Sequence, residues 1–388
     1  MKKTFTYILL FILIVFSSCK EELIGQYPIE NIPPQKVTNT AVKNIEGGAL
    51  ITYNISDEDD VLYVKANYKL DDGTPMEIKS SIYSNQLEIV GIGKSREMPV
   101  TLTVVDRSQN ESAPITVMIH PLDAPIYSIL QTLLIQNDFG GIQLRWENPT
   151  KTPIVIDVFS PTEDEMREVD RFYSESSIGK ANVRGQEPVE TIYSIAIRDR
   201  WGNRTDTISG TFLPIFETEL DKSRFRRWNP PGIPYNAYTS SNWYIENFWN
   251  NNIKSGFANF ELQFTFDLGQ VAKLSRFKIN QRPETNLIYD YVHPKRFELW
   301  GSVSPNVSAD FSTWRYLGTF ESIKPSGLPL GQVSNEDVQY AHTNGEEWNV
   351  PLEAPPARYI RFVALETWGQ GAVVQMMEIT IWGNPDEN

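Results

Sequence analysis

The sequence contains few residues that would support covalent cross-linking or catalysis. Its 388 residues include one cysteine and three histidines, so no internal disulfide can form, and the histidines show no metal-ligand spacing. No Gly-x-Ser-x-Gly, His-Glu-x-x-His or phosphate-binding glycine loop occurs. The formal net charge of -14 argues against a nucleic-acid partner, which requires a basic surface. These absences predict a protein without an enzymatic cofactor whose stability comes from burial.

An apolar run near the start of the chain is too short to cross a membrane. It covers residues 5–16, follows two lysines and precedes the stretch Ser-Ser-Cys that ends at Cys19, which is the order of a signal peptide and its cleavage site. Because Cys19 is the only cysteine, the segment resembles the lipobox of bacterial lipoproteins, although Phe16 stands where leucine is usual. The resemblance implies a signal peptide at 1–18 and an acylated Cys19. A chance cysteine in a secretory signal is the alternative.

The next residues indicate where such an anchor would place the protein. Lys20-Glu21-Glu22 is similar to the short lysine-acidic tag that directs Bacteroidota lipoproteins to the outer face of the outer membrane. Several acyl chains exceed the roughly two signals that stable anchoring requires. We therefore expect residues 19–31 to tether the protein to the outer membrane, facing the cell exterior.

A repeat organises the first half of the mature chain. "GGALITYNIS" at 47–56 is echoed by "GGIQLRWENP" at 140–149, and both stretches alternate as β-strands do. Three pairs of matching positions are each 93 residues apart: Gly47 and Gly140, Asp106 and Asp199, Asn110 and Asn203. The sequence therefore predicts two sandwiches, at 32–121 and 122–213. Each resembles a fibronectin type III or immunoglobulin-like domain, and the proline-rich joints between units are read as stiff spacers.

The composition changes after about residue 214, because eight of the ten tryptophans lie there. The stretch 259–282 alternates up to Phe266, is predicted to turn at residues 267–270, and then alternates again. The basic run at 222–227 is predicted to be a solvated linker, within a linker segment at 214–235.

The order of elements after residue 236 resembles the discoidin, or factor V/VIII C-type, domain. The residues that carry the resemblance are Phe266-Asp267-Leu268-Gly269, Arg282, Phe297, Leu299, Trp314, Ala357-Arg358-Tyr359-Ile360-Arg361 and Gly383. The resemblance implies a jelly-roll sandwich at 236–388, and many bacterial members of that family bind carbohydrate. The predicted fold is all-β: two tandem fibronectin-III/Ig-like sandwiches and a discoidin-like jelly roll.

The resemblance also implies that three loops meet at the end of this last sandwich. Aromatic rings there would stack on the C–H faces of a sugar, while charged and amide groups would bind its hydroxyls. The predicted ligand-binding residues are Trp243, Tyr244, Arg282, Glu284, Tyr289, Tyr291, Trp368 and Gln370. Arg282 has a structural reading as well, because an arginine at a strand end often serves as an ion-pair partner.

Six of the other tryptophans are assigned to structural positions. Trp146 and Trp201 of the repeats are predicted to be core residues. The same holds for four tryptophans of the last part: Trp249, Trp300, Trp314 and Trp382.

Many discoidin-like modules hold a structural calcium ion in an early loop. That segment offers Glu246, Asn247 and Asn250 here but lacks the family's usual Asp-Gly. We expect no ion, or one held mainly by backbone carbonyls.

The order of lipobox, two small β domains and a discoidin-like domain resembles the surface lipoproteins that Bacteroidota make alongside SusC/SusD-type glycan importers. It predicts a non-catalytic protein that binds a polysaccharide or glycan for capture and import, and it makes a SusC/SusD-like transporter complex a candidate partner. Two alternatives stay open: a protein-binding adhesin or structural partner of the transporter, and a glycoside hydrolase that assembles its carboxylates from distant loops.

Overall fold

The computed structural model describes residues 31–161, 165–236, 243–282, 284, 287–290 and 292–386. The predicted signal peptide, Cys19 and Tyr291 lie outside the described residues. Within the described part of the chain, no helix combines the length and the apolar character needed to cross a membrane.

The first unit is a two-sheet β-sandwich. Its strands are β1 (Thr38–Ile45), β2 (Gly48–Asn54), β3 (Val61–Lys69), β4 (Pro75–Ser81), β5 (Gln86–Ile89), β6 (Met98–Asp106) and β7 (Ile115–Ile119). One sheet has the order β1-β2-β5 and the other β4-β3-β6-β7. Alternate residues of both sheets, such as Ile51, Val64 and Leu102, point inward and are fully buried.

The second unit repeats this architecture after a short helix. Its elements are α1 (Pro125–Thr132), β8 (Leu134–Asp138), β9 (Gly141–Glu147), β10 (Ile154–Pro161), β11 (Met166–Ser174), β12 (Ile178–Asn182), β13 (Thr191–Asp199) and β14 (Ile208–Phe212). The sheets β8-β9-β12 and β11-β10-β13-β14 match those of the first unit strand for strand. The prediction of an all-β chain with two tandem fibronectin-III/Ig-like sandwiches is confirmed, and Trp146 is buried in the second core as predicted.

The repeat extends to individual hydrogen bonds. In the first unit, Asp106 accepts bonds from the backbone N–H (2.8 Å) and side-chain amide (3.0 Å) of Asn110. In the second, Asp199 accepts the same two bonds from Asn203 at 3.0 and 2.8 Å. An aspartate that bonds the backbone a few residues ahead closes a tight turn, so each Asp–Asn pair reverses the chain after a late strand.

Backbone hydrogen bonds fix the joint between the first two units. Leu122 N–H donates to Ile45 O (3.0 Å), and Ala124 N–H donates to Gly93 O (2.8 Å). The ring of Trp201 packs against Gly91, where a Cβ would come within 2.9 Å of it. Trp201 is therefore half-buried at a joint between units, whereas the sequence predicted a place in a core.

The third unit is a β-sandwich with short helices. Its strands are β15 (Thr218–Glu219), β16 (Arg226–Arg227), β17 (Phe257–Asn259), β18 (Gln263–Ile279), β19 (Pro294–Ser302), β20 (Arg315–Glu321), β21 (Glu346–Asn349), β22 (Ala357–Thr367), β23 (Val374–Met376) and β24 (Ile379–Asn384). Its helices are two 3₁₀ turns (Lys222–Arg224 and Ile245–Trp249), α2 (Asn335–Val338) and a π-helical turn (Gln339–Gly345).

One long strand, β18, joins the two layers of this unit. Its first half pairs with β22 and β16, and its second half pairs with β24 and β21. The register shifts between Asp267 and Ala272, and Gly269 has φ of +71°. The predicted turn at 267–270 is therefore wrong: the strand bends there through a bulge and continues in the other layer.

The predicted linker at 214–235 belongs to the third unit. β15 pairs with β24, and β16 pairs with β18. Lys222, expected to be solvated, is buried, and its ammonium donates to Glu378 Oε1 (2.6 Å) and Thr380 Oγ1 (2.9 Å). The prediction failed because the partner of this lysine lies 156 residues further along the chain.

Phenylalanine rings dominate the core between the layers. Phe264 stacks on Phe362 at 5.1 Å between ring centroids, and Phe297 stacks on Phe362 at 4.6 Å. Trp249 and Trp314 are buried as predicted. Trp300 and Trp382 are only half-buried, because both point outward from the sheets.

Candidate functional site

Three loops meet at one end of the third unit. The backbone N–H of Trp368 donates to His293 O (2.9 Å), which ties the β22–β23 turn to the start of β19. Gln375 N–H donates to Val292 O (3.2 Å), and the Gln375 side chain accepts a bond from Arg282 at 3.1 Å. We call Trp243, Arg282, Glu284 and Gln375 the distal-loop site.

Trp243 is half-buried and is held from several directions. Its carbonyl accepts bonds from Ala258 N–H (3.3 Å) and the Tyr235 hydroxyl (3.4 Å). Its ring lies beside Gly256, where an added Cβ would come within 3.0 Å of the indole. The guanidinium carbon of Arg282 lies 4.9 Å from the centroid of the ring. The ring is thus fixed before any ligand arrives, which lowers the entropy lost on binding.

Arg282 has its guanidinium held in one orientation. Nε and Nη2 donate to the two carboxylate oxygens of Glu284, each at 3.0 Å, and Nη1 donates to Gln375 Oε1 at 3.1 Å. The hydrogen bond from Arg282 lowers the pKa of Glu284. Glu284 itself is exposed. The result is an ionised, oriented pair of charges beside an aromatic ring.

A shallow depression lies next to this pair. Its lining residues are Arg282, Leu287, Asp290, Val292, His293 and Gln375. Four of these six residues are polar, and the depression is too small to hold a water molecule. A ligand at this end of the unit would therefore rest on the surface around Trp243 and Arg282 and would not enter a pocket.

Tyr289 does not belong to this surface. Its side chain is fully buried, and its hydroxyl donates to Ile323 O (3.0 Å). Burial also raises its pKa. The ring packs with Ile288 and Ala341 in a small second core. The predicted exposure of this tyrosine is wrong because the loop folds inward onto the segment between β20 and β21.

Trp368 is also held against neighbouring residues. Its indole N–H donates to Ser322 Oγ (3.0 Å), and its ring makes an edge contact with Tyr289 at 5.1 Å between centroids. Lys295 Nζ lies 5.5 Å from the ring. The half-buried tryptophan at the hairpin tip therefore anchors the turn onto its neighbours, contrary to the bare ring expected from the sequence.

The remaining predicted site residues differ in their exposure. Tyr244 and Gln370 are exposed, and Gln370 has φ of +56° in the turn. Tyr291 lies outside the described residues. The structure thus brings Trp243, Arg282 and Glu284 into direct contact and places Gln370 at the tip of the loop that contains Trp368.

A buried polar network lies beneath the distal-loop site. Glu346 accepts bonds from Gln281 Nε2 (2.5 Å) and Ser322 Oγ (2.9 Å), and His293 Nε2 lies 3.8 Å from it. Burial raises the pKa of Glu346 to about 7 and lowers that of His293 to about 3, because it disfavours the charged form of each group. His293 is buried just before the start of β19.

Sequence reasoning missed Gln375, although a signal was present. This residue is the first of three polar residues in the largely apolar run "AVVQMMEITI", and a polar residue in such a run needs a partner when it is buried. Its partner is Arg282, which lies 93 positions earlier in the chain. The distal-loop site is therefore made by long-range contacts.

The three side chains that the early loop offers near the usual calcium position contact other protein groups. Glu246 forms an ion pair with Arg227 at 2.7 Å. Asn247 Oδ1 accepts a bond from Asn250 Nδ2 (3.2 Å), and Asn250 Oδ1 accepts one from Asn252 N–H (3.0 Å). The described part of the chain contains no group of three or more His, Cys, Asp or Glu residues placed to bind a metal.

Three protein families match successive parts of the chain, and each is described as a domain of unknown function. They match residues 34–121 (DUF4959), 122–223 (DUF5126) and 239–383 (DUF5000). No curated protein matches the chain.

Several solved structures are partly similar to the chain. A SusE-like protein is 27% identical over 67% of this chain and all of its own, with a TM-score of 0.45. A fragment of a putative chitobiase from Bacteroides thetaiotaomicron is 20% identical over 44% of this chain and 95% of its own, with a TM-score of 0.31. A segment of two fibronectin type III domains from chicken tenascin is 13% identical over 46% of this chain and 99% of its own, with a TM-score of 0.22.

Proposed function

We propose that this chain is a non-catalytic cell-surface lipoprotein that binds a polysaccharide or glycan at the distal-loop site, for capture beside an outer-membrane importer of the SusC/SusD type. The observation that carries the proposal is the half-buried ring of Trp243 held under Arg282, whose guanidinium is fixed by Glu284 and Gln375. The discoidin-like order of elements and the lipobox supply the setting.

This arrangement suits a sugar. The C–H face of a pyranose stacks on an indole, while its hydroxyls bind the carboxylate, amide and guanidinium groups at the edge of the ring. Exposed Tyr244 and Gln370 extend the same end of the unit with further polar and aromatic groups. Trp368 and Tyr289 then have the role of holding the loops in place.

The carboxylates near the site are poor candidates for hydrolysis. A glycosidase needs one carboxyl with a raised pKa that reaches the scissile bond. Arg282 lowers the pKa of Glu284, which keeps that group ionised. Glu346 has a raised pKa, but it is buried and accepts bonds from Gln281 and Ser322. These contacts support binding without cleavage.

Affinity electrophoresis and calorimetry of residues 20–388 against a panel of polysaccharides would test the proposal. Retention without release of reducing sugar is the expected result. Release of reducing sugar would indicate a hydrolase instead, and no retention by any member of the panel would leave the adhesin or transporter-partner alternative.

Trp243→Ala should then weaken binding by about 1–3 kcal/mol, because one stacking ring is lost from a small site. Trp382→Ala is the matched control, since Trp382 is also half-buried and has the guanidinium of Arg276 at 4.1 Å, in another part of the unit. Equal losses in the two variants, or no loss with Trp243→Ala, would contradict the assignment of the site.

A further inference from the structure

Three aromatic rings form a second exposed cluster, away from the distal loops. Trp300 of β19 lies 4.4 Å from Phe311 and 5.3 Å from Tyr316 of β20, measured between ring centroids. Phe311 is 39% exposed and Tyr316 is 50% exposed, while Trp300 is half-buried between them. We call these three residues the face patch, because they lie on the outer face of the sheet.

Packing of the fold does not account for the patch. The core side of the same strands is filled by Phe297, Leu299 and Phe320, so the outer rings add nothing to the core. A cross-strand pair explains why Trp300 and Tyr316 touch, since they are partners in the register of β19 and β20. It does not explain Phe311, which comes from the loop before β20.

A buried arginine holds Phe311 in place. The guanidinium carbon of Arg361 lies 3.8 Å from the Phe311 ring centroid. Its Nη1 donates to Ala309 O (2.9 Å) and its Nη2 to Gln263 Oε1 (2.7 Å). Arg361 itself is only 2% exposed. The loop ring is therefore fixed in position while more than a third of it stays open to solvent.

Polar groups are fixed at the edges of the rings. Trp300 Nε1–H donates to Glu298 Oε2 (2.9 Å), and the Tyr316 hydroxyl shares a hydrogen bond with Thr319 Oγ1 (2.6 Å). A groove adjoins the patch, and its lining residues include Ser304, Ser312, Thr313, Arg315 and Pro355.

Rings edged by a carboxylate and hydroxyls match the alternating C–H and hydroxyl surfaces of a sugar. The buried centre of a protein interface, in contrast, is depleted of charged groups.

We propose that the face patch is a second contact for the polysaccharide bound at the distal-loop site, an inference that rests on the proposed function. β19 begins next to the distal loops at Pro294, and Trp300 lies six residues further along it. At about 3.3 Å per residue, Trp300 lies about 20 Å along β19 from the start of that strand beside the distal loops. A long polysaccharide reaches both contacts, whereas a short oligosaccharide reaches only one.

The test compares ring removals at the two contacts, using residues 20–388. Phe311→Ala and Tyr316→Ala should each weaken binding of a retained polysaccharide by about tenfold. Neither should change the affinity for a short oligosaccharide of the same sugar, whereas Trp243→Ala should weaken both. Tyr83→Ala is the control, because Tyr83 is an exposed tyrosine of the first unit. Circular dichroism confirms that each variant is folded.

The outcomes separate this inference from the proposed function. If no polysaccharide retains the unmodified chain, both are overturned. A second outcome is that the unmodified chain binds and Trp243→Ala weakens binding as expected. If Phe311→Ala and Tyr316→Ala then have the same polysaccharide affinity as Tyr83→Ala, only the face patch is overturned. If sedimentation shows that the chain self-associates and Tyr316→Ala abolishes the association without changing polysaccharide affinity, the patch is a protein interface and the inference is wrong.

Discussion

Replacement of Lys222 by methionine should destabilise the third unit by about 3–5 kcal/mol. Methionine fills similar space without the charge, so the change leaves the buried carboxylate of Glu378 without its ion-pair partner. The side chains of Lys222 and Glu378 are only 7% and 4% exposed, and their charged atoms lie 2.6 Å apart. Glu378 Oε2 already lacks a hydrogen-bond partner, and Oε1 would keep only the N–H of Asn251 at 3.1 Å.

The magnitude follows from the geometry of the pair. Two unit charges 2.6 Å apart attract by about 6 kcal/mol at an effective dielectric constant of about 20. The variant no longer pays the cost of burying the lysine ammonium away from water, and this offsets part of the lost attraction. The net cost of removing one partner therefore falls within the expected range. A pair on the surface would contribute about 0–1 kcal/mol instead.

The stability that Lys222→Met loses relative to the unmodified chain should grow as the pH rises. Burial raises the pKa of Glu378 above its ordinary value, so the folded state binds a proton at this carboxylate more readily than the unfolded state does. A group of this kind contributes stability below its unfolded-state pKa and loses that contribution as the pH rises through its folded-state pKa. Loss of Lys222 raises the folded-state pKa further. Lys222→Met should therefore cost most at about pH 8 and least in acid.

Urea unfolding followed by tryptophan fluorescence would measure the effect, because eight of the ten tryptophans lie after residue 214. Lys254→Met, at an exposed lysine of the same unit, is the control. The double variant Lys222→Met/Glu378→Leu should recover most of the lost stability. A cost below about 1 kcal/mol for Lys222→Met, or a deficit that does not change with pH, would refute the reasoning.

Two further predictions concern buried positions. Because the pKa of Glu346 is raised to about 7, its contribution to stability is present below about pH 4.5 and is lost as the pH approaches 7. Glu346→Gln should therefore gain stability relative to the unmodified chain between those values, by at most about 1.4 kcal/mol per pH unit in thermal or urea unfolding. If the difference in unfolding free energy between Glu346→Gln and the unmodified chain does not change from pH 4.5 to 7, Glu346 is ionised over that whole range. Gly179→Ala should destabilise the second unit by about 1–3 kcal/mol, because a Cβ there would overlap the ring of Trp146. Gly185→Ala is the comparison variant, because a Cβ there meets no atom within 4 Å but φ is +74°. Calorimetry of the two variants separates the effect of ring overlap from that of backbone strain.

Local patterns allowed prediction of the two repeats. Strand alternation and turn chemistry depend on residues close in sequence, and the Asp106–Asn110 and Asp199–Asn203 turns each close within five residues. The residues that gave the prediction are therefore the same residues whose contacts form the strand or the turn. The same holds for Trp146, whose place on an inward-facing strand position follows from the alternation of β9.

The direction of loop side chains could not be predicted in this way. Tyr289 and Trp368 are buried or pinned by residues 322–345, a segment whose pattern gave no sign that it would cover them. Lys222 shows the same limit, because a basic run reads as solvated until its distant acidic partner is known. Arg282 is an ion-pair partner of Glu284, which is one of its two readings from the sequence, and it also lies beside Trp243; its binding of a ligand stays a prediction.

The hydrogen-bonded joint at Leu122 and Ala124 has a mechanical consequence. Gly47 N–H also donates to Leu122 O at 3.0 Å, so three backbone bonds bridge the first two units here, and the units cannot rotate about this position without breaking them. A force along the chain would load these bonds together, and bending at the joint would require them to break. The first two sandwiches therefore keep their relative orientation until that happens.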